Sequence, residues 1–211
     1  MSGADAETEA YWDGFFQSRD RVGSGRPNAV LARETADLNP GSALDLGCGE
    51  GDDAIWLAHH GWRVTAVDVS PIALARAAQH AKTADLADMI TWERHDLAHS
   101  FPTGTFDLVS AQFFQSPVGP LRDVALRAAA TAVAPGGVLL IVSHAAFPPW
   151  ALNPDLTTSF PTPEETFESL NLDQEAWEIV VLDSLERTAH GPNGEQGTLI
   201  DSVVKLLKRT A

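Results

Sequence analysis

Three glycines at alternate positions, Gly47, Gly49 and Gly51, stand in the run Asp45-Leu46-Gly47-Cys48-Gly49-Glu50-Gly51, between an apolar stretch and a helical pattern. Glycines in that setting permit positive φ and close backbone approach to a ligand, and the helix that follows presents unpaired N–H groups. The spacing is G-x-G-x-G; in the dinucleotide fingerprint G-x-G-x-x-G a glycine would stand where Asp52 does. Carboxylates at Asp45 and Glu50 repel a pyrophosphate and suit a cationic amino-acid ligand with a sulfonium centre. Asp68 closes a second apolar stretch, where a carboxylate accepts both hydroxyls of a ribose. The alternative role for Asp68, capping the next helix, falls more naturally to Ser70. Ribose contact alone serves nicotinamide and adenosylmethionine cofactors alike.

Other reactive side chains carry less. Cys48, the only cysteine, has no histidine evidently paired with it. Among the seven histidines only His95 and His99 stand four apart, and no Cys/His spacing accompanies them, so no metal site is expected. His144 follows an apolar run and is a candidate base, or else a histidine satisfied by structural hydrogen bonds. His190 falls in a turn, and His59 and His60 in a helix C-terminal turn, where imidazolium suits the helix dipole. Aromatics cluster at Tyr11-Trp12-Asp13-Gly14-Phe15-Phe16, at Phe113-Phe114-Gln115 and from Phe147 to Trp150. They read either as pocket walls that exclude water or, for Trp12, Phe15 and Phe16, as one helix face packed on the domain.

The elements that must position these groups alternate between the two periodicities. Strands are expected at residues 43–47, 63–69, 90–96, 106–113 and 138–143, and helices at 53–61, 71–83 and 121–134. Ser70 caps the second helix and Pro71 occupies its first position. Pro117, Gly119 and Pro120 mark a loop, and Pro135-Gly136-Gly137 reads as the turn that launches the fifth strand. Residues 147–163 are irregular and proline-rich, with a short helix expected over 163–170. Strands at 177–188 and 199–208, joined through Asn193-Gly194, predict an antiparallel hairpin. The fold class is therefore α/β: one doubly wound, mostly parallel seven-stranded sheet with a C-terminal antiparallel hairpin.

The 211 residues suit a single domain, with 1–35 as an N-terminal helical cap over the cofactor and 146–172 as an irregular insertion on the substrate side. Fourteen Lys and Arg against 29 Asp and Glu give a net charge of -15, which disfavours nucleic-acid and anionic-membrane partners and also simply aids solubility. No apolar run approaches a membrane span, the first fifteen residues do not read as a signal peptide, and a single cysteine fits a reducing compartment. A cytoplasmic protein is expected.

Ala43-Leu44-Asp45-Leu46-Gly47-Cys48-Gly49-Glu50-Gly51, with Val64-Thr65-Ala66-Val67-Asp68-Val69-Ser70, resembles the signature of class I S-adenosylmethionine-dependent methyltransferases. Arg94-His95-Asp96-Leu97, Phe106-Asp107-Leu108-Val109 and Val133-Ala134-Pro135-Gly136-Gly137-Val138-Leu139-Leu140 fit that family in order and spacing, so the likeness runs from about residue 27 to 145. Arg26-Pro27-Asn28, Trp56-Leu57-Ala58 and Gly61-Trp62 are similar to the small tellurite-resistance and thiopurine-type members. The resemblance implies that Asp45 and the backbone of Gly47, Cys48, Gly49 and Gly51 hold the methionine end of the cofactor. By the same likeness Asp68 takes the ribose, Val69 packs on the adenine, Asp96 accepts from its amino group beside Leu97, and Ala111 and Gln112 face the acceptor. Tyr11, Trp12, Phe114, His144 and Trp150 are the residues expected around a small-molecule acceptor.

Methyl transfer from a sulfonium is an in-line displacement, for which holding the acceptor within about 3–3.5 Å supplies much of the barrier reduction. A soft acceptor needs no base, so the family carries no universal catalytic residue. Two rivals stay open at this level. A nicotinamide-dependent oxidoreductase lacks support from a third glycine or a Tyr-x-x-x-Lys pair, the only tyrosine being Tyr11. A non-catalytic adenosylmethionine-binding module has nothing in the sequence against it.

Overall fold

Ser42–Leu46 (β1) is buried along nearly its whole length and organises the sheet. It pairs in parallel with Arg63–Asp68 (β2) on one side and Phe106–Gln112 (β4) on the other. Ile90–Arg94 (β3) adds in parallel beyond β2, and Val133–His144 (β5) beyond β4. Gln196–Lys208 (β7) runs antiparallel between β5 and Trp177–His190 (β6), giving the order β3-β2-β1-β4-β5-β7-β6. This computed structural model describes residues 3–115, 122–152, 154, 159–191 and 193–210, and it is the doubly wound, mostly parallel sheet with a terminal hairpin that the sequence predicts.

Helices cover both faces because the sheet is apolar on both. Ala29–Thr35 (α2), Asp52–His59 (α3) and Pro71–Thr83 (α4) pack one face, where Val30, Leu31, Leu57 and Ala81 meet Ala43, Val64, Leu108, Leu140 and Val203. Arg122–Thr131 (α5) and Pro163–Ser169 (α6) pack the other, where Leu126, Ala129 and Leu170 meet Leu44, Val67, Val109, Ile141 and Val204. Each fully buried leucine contributes about 1.5–3 kcal/mol. The strand order reverses between β1 and β4, so a crevice opens beyond their carboxyl ends, and the Gly47–Gly51 loop lies in it.

Local signals explain the element boundaries. Ser70 accepts the N–H of Ala73 over 3.1 Å to cap α4, with Pro71 next to it. Gly51, at φ 85°, turns the chain into α3, whose first turn carries Asp52 and Asp53 toward the positive helix end. Thr162 and Glu165 form a reciprocal capping box at the start of α6.

Several expected boundaries need correction. Pro135-Gly136-Gly137 lies within β5, which begins at Val133; the pairing with β4 jumps from Phe106↔Val133 to Leu108↔Val138, so the turn-like sequence is absorbed as a bulge. β3 ends at Arg94, leaving Asp96 just past it, because the chain turns where His95 N–H donates to Asp68 O over 3.1 Å. The hairpin strands are longer than read, reaching His190 and starting at Gln196, and Gly194 adopts φ 87° as its turn signal requires. Pro117, Gly119, Pro120 and Leu121 lie outside the described residues. Within 1–35, Gly3–Gln17 (α1) forms one helix, and α2 belongs to the core through Val30 and Leu31.

Candidate functional site

The glycine loop is folded by its neighbours. Cys48 N–H donates to Val67 O, Gly51 N–H to Cys48 O and Gly49 N–H to Asp68 Oδ2, each over 2.9 Å. A methyl on Gly47 would come within 2.8 Å of the Phe114 ring, and one on Gly51 within 2.7 Å of the Trp92 ring, so the loop accepts no side chain at either place.

Three carboxylates on three elements close around this loop. Asp45, on β1, is 2% exposed and its Oδ2 has no hydrogen-bond partner among the described residues. Burial, then the charges of Asp53 and Asp68, push its carboxyl well above the ordinary value. Asp53, in the first turn of α3, is raised to about 6 by burial, against the pull of the Asn28 N–H that it accepts over 2.6 Å and with a push from Asp52. Asp68 is raised by burial although the Ser70, Gly49 and Val69 N–H groups favour its anion, and Asp13 raises it further. The Cys48 thiol between them is pushed up by burial and by Asp68 and Asp45, which leaves it a poor nucleophile.

Glu50 behaves differently, and this corrects the reading that placed its charge beside the ligand. Its carboxylate accepts Val22 N–H at 2.8 Å and Gly23 N–H at 3.0 Å and pairs with Arg76 at 2.9 Å. Burial alone would raise its pKa, but the Gly23 N–H, Arg76 and the Val22 N–H outweigh it and hold the value below the ordinary one. The third acid facing the loop is therefore Asp53, which carries no motif signal beyond its place in a helix first turn.

The remaining expected cofactor residues lie at or just past the carboxyl ends of β2, β3 and β4. Val69 is half-buried immediately past β2, and Leu97 is buried past β3. Asp96 accepts Ala98 N–H over 3.1 Å, with Oδ2 3.4 Å from His99 Nδ1. Ala111 is fully buried at the end of β4, and Gln112 donates to Ser110 Oγ over 2.9 Å while its Oε1 is buried with no hydrogen-bond partner among the described residues.

α1 is strapped across this end of the sheet. Asp13 accepts from Ser70 Oγ, Glu9 pairs with Arg94 at 2.8 Å, and the buried Phe16 ring lies 3.6 Å from where a Gly49 methyl would stand. Arg76 donates to the carbonyls of Phe16 and Arg19 at 3.1 and 2.9 Å while holding Glu50. The following loop hangs from the start of α3, with Gly25 N–H donating to Asp52 over 2.7 Å and Asn28 N–H to Asp53. Phe16 thus packs on the glycine loop, Trp12 is half-buried edge-on to Phe15 at 5.3 Å, and Tyr11 is 42% exposed.

On the β4–β5 side, Phe114 covers Gly47 and Phe113 stacks on His144 at 4.2 Å. Trp150 is not with them. Its indole packs against Gly191 and Gly197 at the hairpin tip, four residues along β7 beyond the His144↔Asp201 pair, or about 13 Å. Sequence reasoning missed Arg187, whose guanidinium holds the fully buried Asp201, because the hairpin register alone brings them together.

A family model described as a methyltransferase domain matches residues 43–137. The ribosomal RNA small subunit methyltransferase C of Alcanivorax borkumensis is 32% identical over 69% of this chain and 45% of its own length. The 2-heptyl-1-hydroxyquinolin-4(1H)-one methyltransferase of Mycobacteroides abscessus is 29% identical over 61% of this chain and 57% of its own. The chain thus spans about half the length of these curated relatives. Among solved structures, TehB from Haemophilus influenzae superposes with a TM-score of 0.68 at 16% identity, covering 94% of this chain and 67% of that one, a likeness of fold.

Proposed function

We propose that the chain is a class I S-adenosylmethionine-dependent methyltransferase, in keeping with the methyltransferase-domain model over residues 43–137, and that it transfers the cofactor's methyl group to a small-molecule acceptor. The observation that carries this reading is the cluster of Asp45, Asp53 and Asp68 around the glycine loop, in which, among the described residues, the charged groups bearing on Asp45 are carboxylates and Asp45 Oδ2 has no hydrogen-bond partner. Buried carboxylates without a cation are costly, and a ligand carrying an ammonium and a sulfonium supplies the missing charge. A pyrophosphate would add to the repulsion, which counts against a dinucleotide.

The residues present fit adenosylmethionine. Asp45 and the Gly47–Gly51 backbone would hold its amino-acid end, Asp68 its ribose, Val69 and Leu97 its adenine faces, and Asp96 the adenine amino group. When bound, the cofactor supplies a methyl carbon already activated by positive sulfur. Phe16 and Phe114 exclude water above the loop, and Gln112 Oε1 offers an acceptor toward the β4 side. α1 and Phe114 would wall the acceptor side, with Phe114 over Gly47 and Phe16 beside Gly49.

A net charge of -15 supports a small neutral or cationic acceptor over RNA, although one relative acts on ribosomal RNA by name. No helix among the described residues is long and apolar enough to cross a membrane. We place the protein in the cytoplasm, in keeping with its single cysteine. Incubation with methyl-labelled adenosylmethionine, a small-molecule extract and total ribosomal RNA tests the reading: label is expected in the small-molecule fraction. Label confined to RNA would overturn the acceptor class.

A further inference from the structure

We propose that His144 is the proton acceptor for an O–H or N–H methyl acceptor and that the Asp201–Arg187 pair positions it, an inference that rests on the methyltransferase reading above. His144 ends β5, two residues past Val142, the register partner of Gln112. Consecutive residues tie it to the cofactor loop: Phe114 covers Gly47, while the Phe113 ring stacks on the imidazole at 4.2 Å and 21°.

The backbone is shaped for this contact. Phe113 holds φ 52°, a left-handed conformation costing a bulky residue about 1–2 kcal/mol. Its N–H donates to Val142 O and its carbonyl accepts Gln115 N–H, each over 2.7 Å, and Gln115 Oε1 in turn accepts His144 N–H over 3.1 Å. The main chain of His144 is thus fixed, while among the described residues no hydrogen bond ties either ring nitrogen. A histidine kept for structure would be held by its ring; here the ring stands open at the rim with one face against Phe113.

Directly across from His144 on β7 stands Asp201, fully buried, with both carboxylate oxygens on Arg187 of β6. Opposed residues of an antiparallel pair share one face with Cβ atoms about 4.5–5.5 Å apart. Among the described residues, the charged groups that bear on the imidazole are this acid and Arg187, whose guanidinium lies 5.7 Å from the Phe113 ring centre. Partial burial, reinforced by Arg187 and opposed by Asp201, keeps the imidazole below its ordinary value and therefore neutral at pH 7. In the step proposed, the acceptor's O–H or N–H bond breaks, its proton passes to a ring nitrogen of His144, its lone pair bonds the methyl carbon, and the C–S electron pair leaves with the thioether. The imidazole gains the positive charge that the sulfonium loses.

The test compares wild type, His144→Gln and Asp201→Asn on catechol, benzylamine and thiophenol with adenosylmethionine, after calorimetry with adenosylhomocysteine has verified that each protein is folded and loaded. Wild type is expected to methylate catechol or benzylamine, with a rate that falls at low pH. His144→Gln should cut that rate by about 100-fold or more and leave any thiophenol rate within threefold. Asp201→Asn removes the charge that raises the imidazole pKa, so the acid limb should move to lower pH. Turnover of thiophenol alone, no turnover of catechol or benzylamine by a loaded wild type, or a His144→Gln rate within threefold of wild type would overturn the proposal. Wild type that binds no adenosylhomocysteine would overturn the methyltransferase reading itself.

Discussion

The N–H of Gly49 donates to Asp68 Oδ2 over 2.9 Å, so the acid at the end of β2 shapes the glycine loop that follows β1. Its other oxygen accepts Ser70 N–H at the start of α4. Asp68→Ala should therefore do two things at once. Leaving two backbone donors unpaired should lower the unfolding free energy by about 1–3 kcal/mol. Loss of the ribose partner we propose should weaken adenosylmethionine by roughly tenfold or more. Urea unfolding and calorimetry measure the two; a variant unchanged in both would remove Asp68 from the site.

Asp53 makes the unliganded protein pH-sensitive. Its folded-state pKa of about 6 lies above the ordinary 3.8, so protonation favours the fold. That contribution is complete below about pH 4 and is lost as the pH rises through about 6. A cationic ligand prefers the ionised cluster, so adenosylmethionine affinity should climb across the same window. Asp53→Asn should flatten both trends, and the difference in melting temperature between wild type and variant from pH 4 to 8 is the direct readout. A difference that does not vary with pH would contradict the assignment.

Arg76 joins the Phe16 and Arg19 carbonyls to Glu50, whose side chain is 1% exposed. Arg76→Ala leaves that carboxylate with only two N–H donors and unfastens α1. Amide exchange across Gly3–Gln17 should quicken by roughly tenfold or more, while strands β1 and β4 keep their protection. Unaltered exchange in α1 would show that Arg76 does not latch it. Since Glu50 is held below its ordinary pKa, its contribution is present near neutral pH and fades as acid protonates it.

Gly51→Ala tests the loop geometry. A methyl there combines φ 85° with a 2.7 Å approach to Trp92 and 3.0 Å to Ala77. The left-handed backbone costs about 1–2 kcal/mol and overpacking about 1–3 kcal/mol more. A urea midpoint shift worth under roughly 0.5 kcal/mol would mean that the loop relaxes freely.

Features written in local periodicity and spacing were readable in advance. The G-x-G-x-G run, the Ser70-Pro71 start of α4 and the Asn193-Gly194 turn each stand where chain-local chemistry put them. What escaped depends on contacts between distant segments. Glu50 reads as an acid facing the ligand until Arg76, 26 residues away, is seen to neutralise it. Asp53 looks like a helix-dipole residue until α3 is docked beside Asp45. Pro135-Gly136-Gly137 has turn composition, yet β4 offers it a bulge, and tertiary pairing prevails over local propensity. Trp150 was grouped with the acceptor wall by its aromatic character, but the length of the hairpin, invisible in local pattern, carries it away.

The central claim is that a desolvated acidic cluster around the Gly47–Gly51 loop selects a cationic adenosyl amino acid. Calorimetric titration of the full chain with adenosylmethionine, adenosylhomocysteine and NAD at pH 7 tests it most directly. The account predicts saturable binding of both sulfur compounds, none of NAD, and loss of affinity for adenosylmethionine in Asp45→Asn. Binding of NAD with neither sulfur compound bound would contradict it.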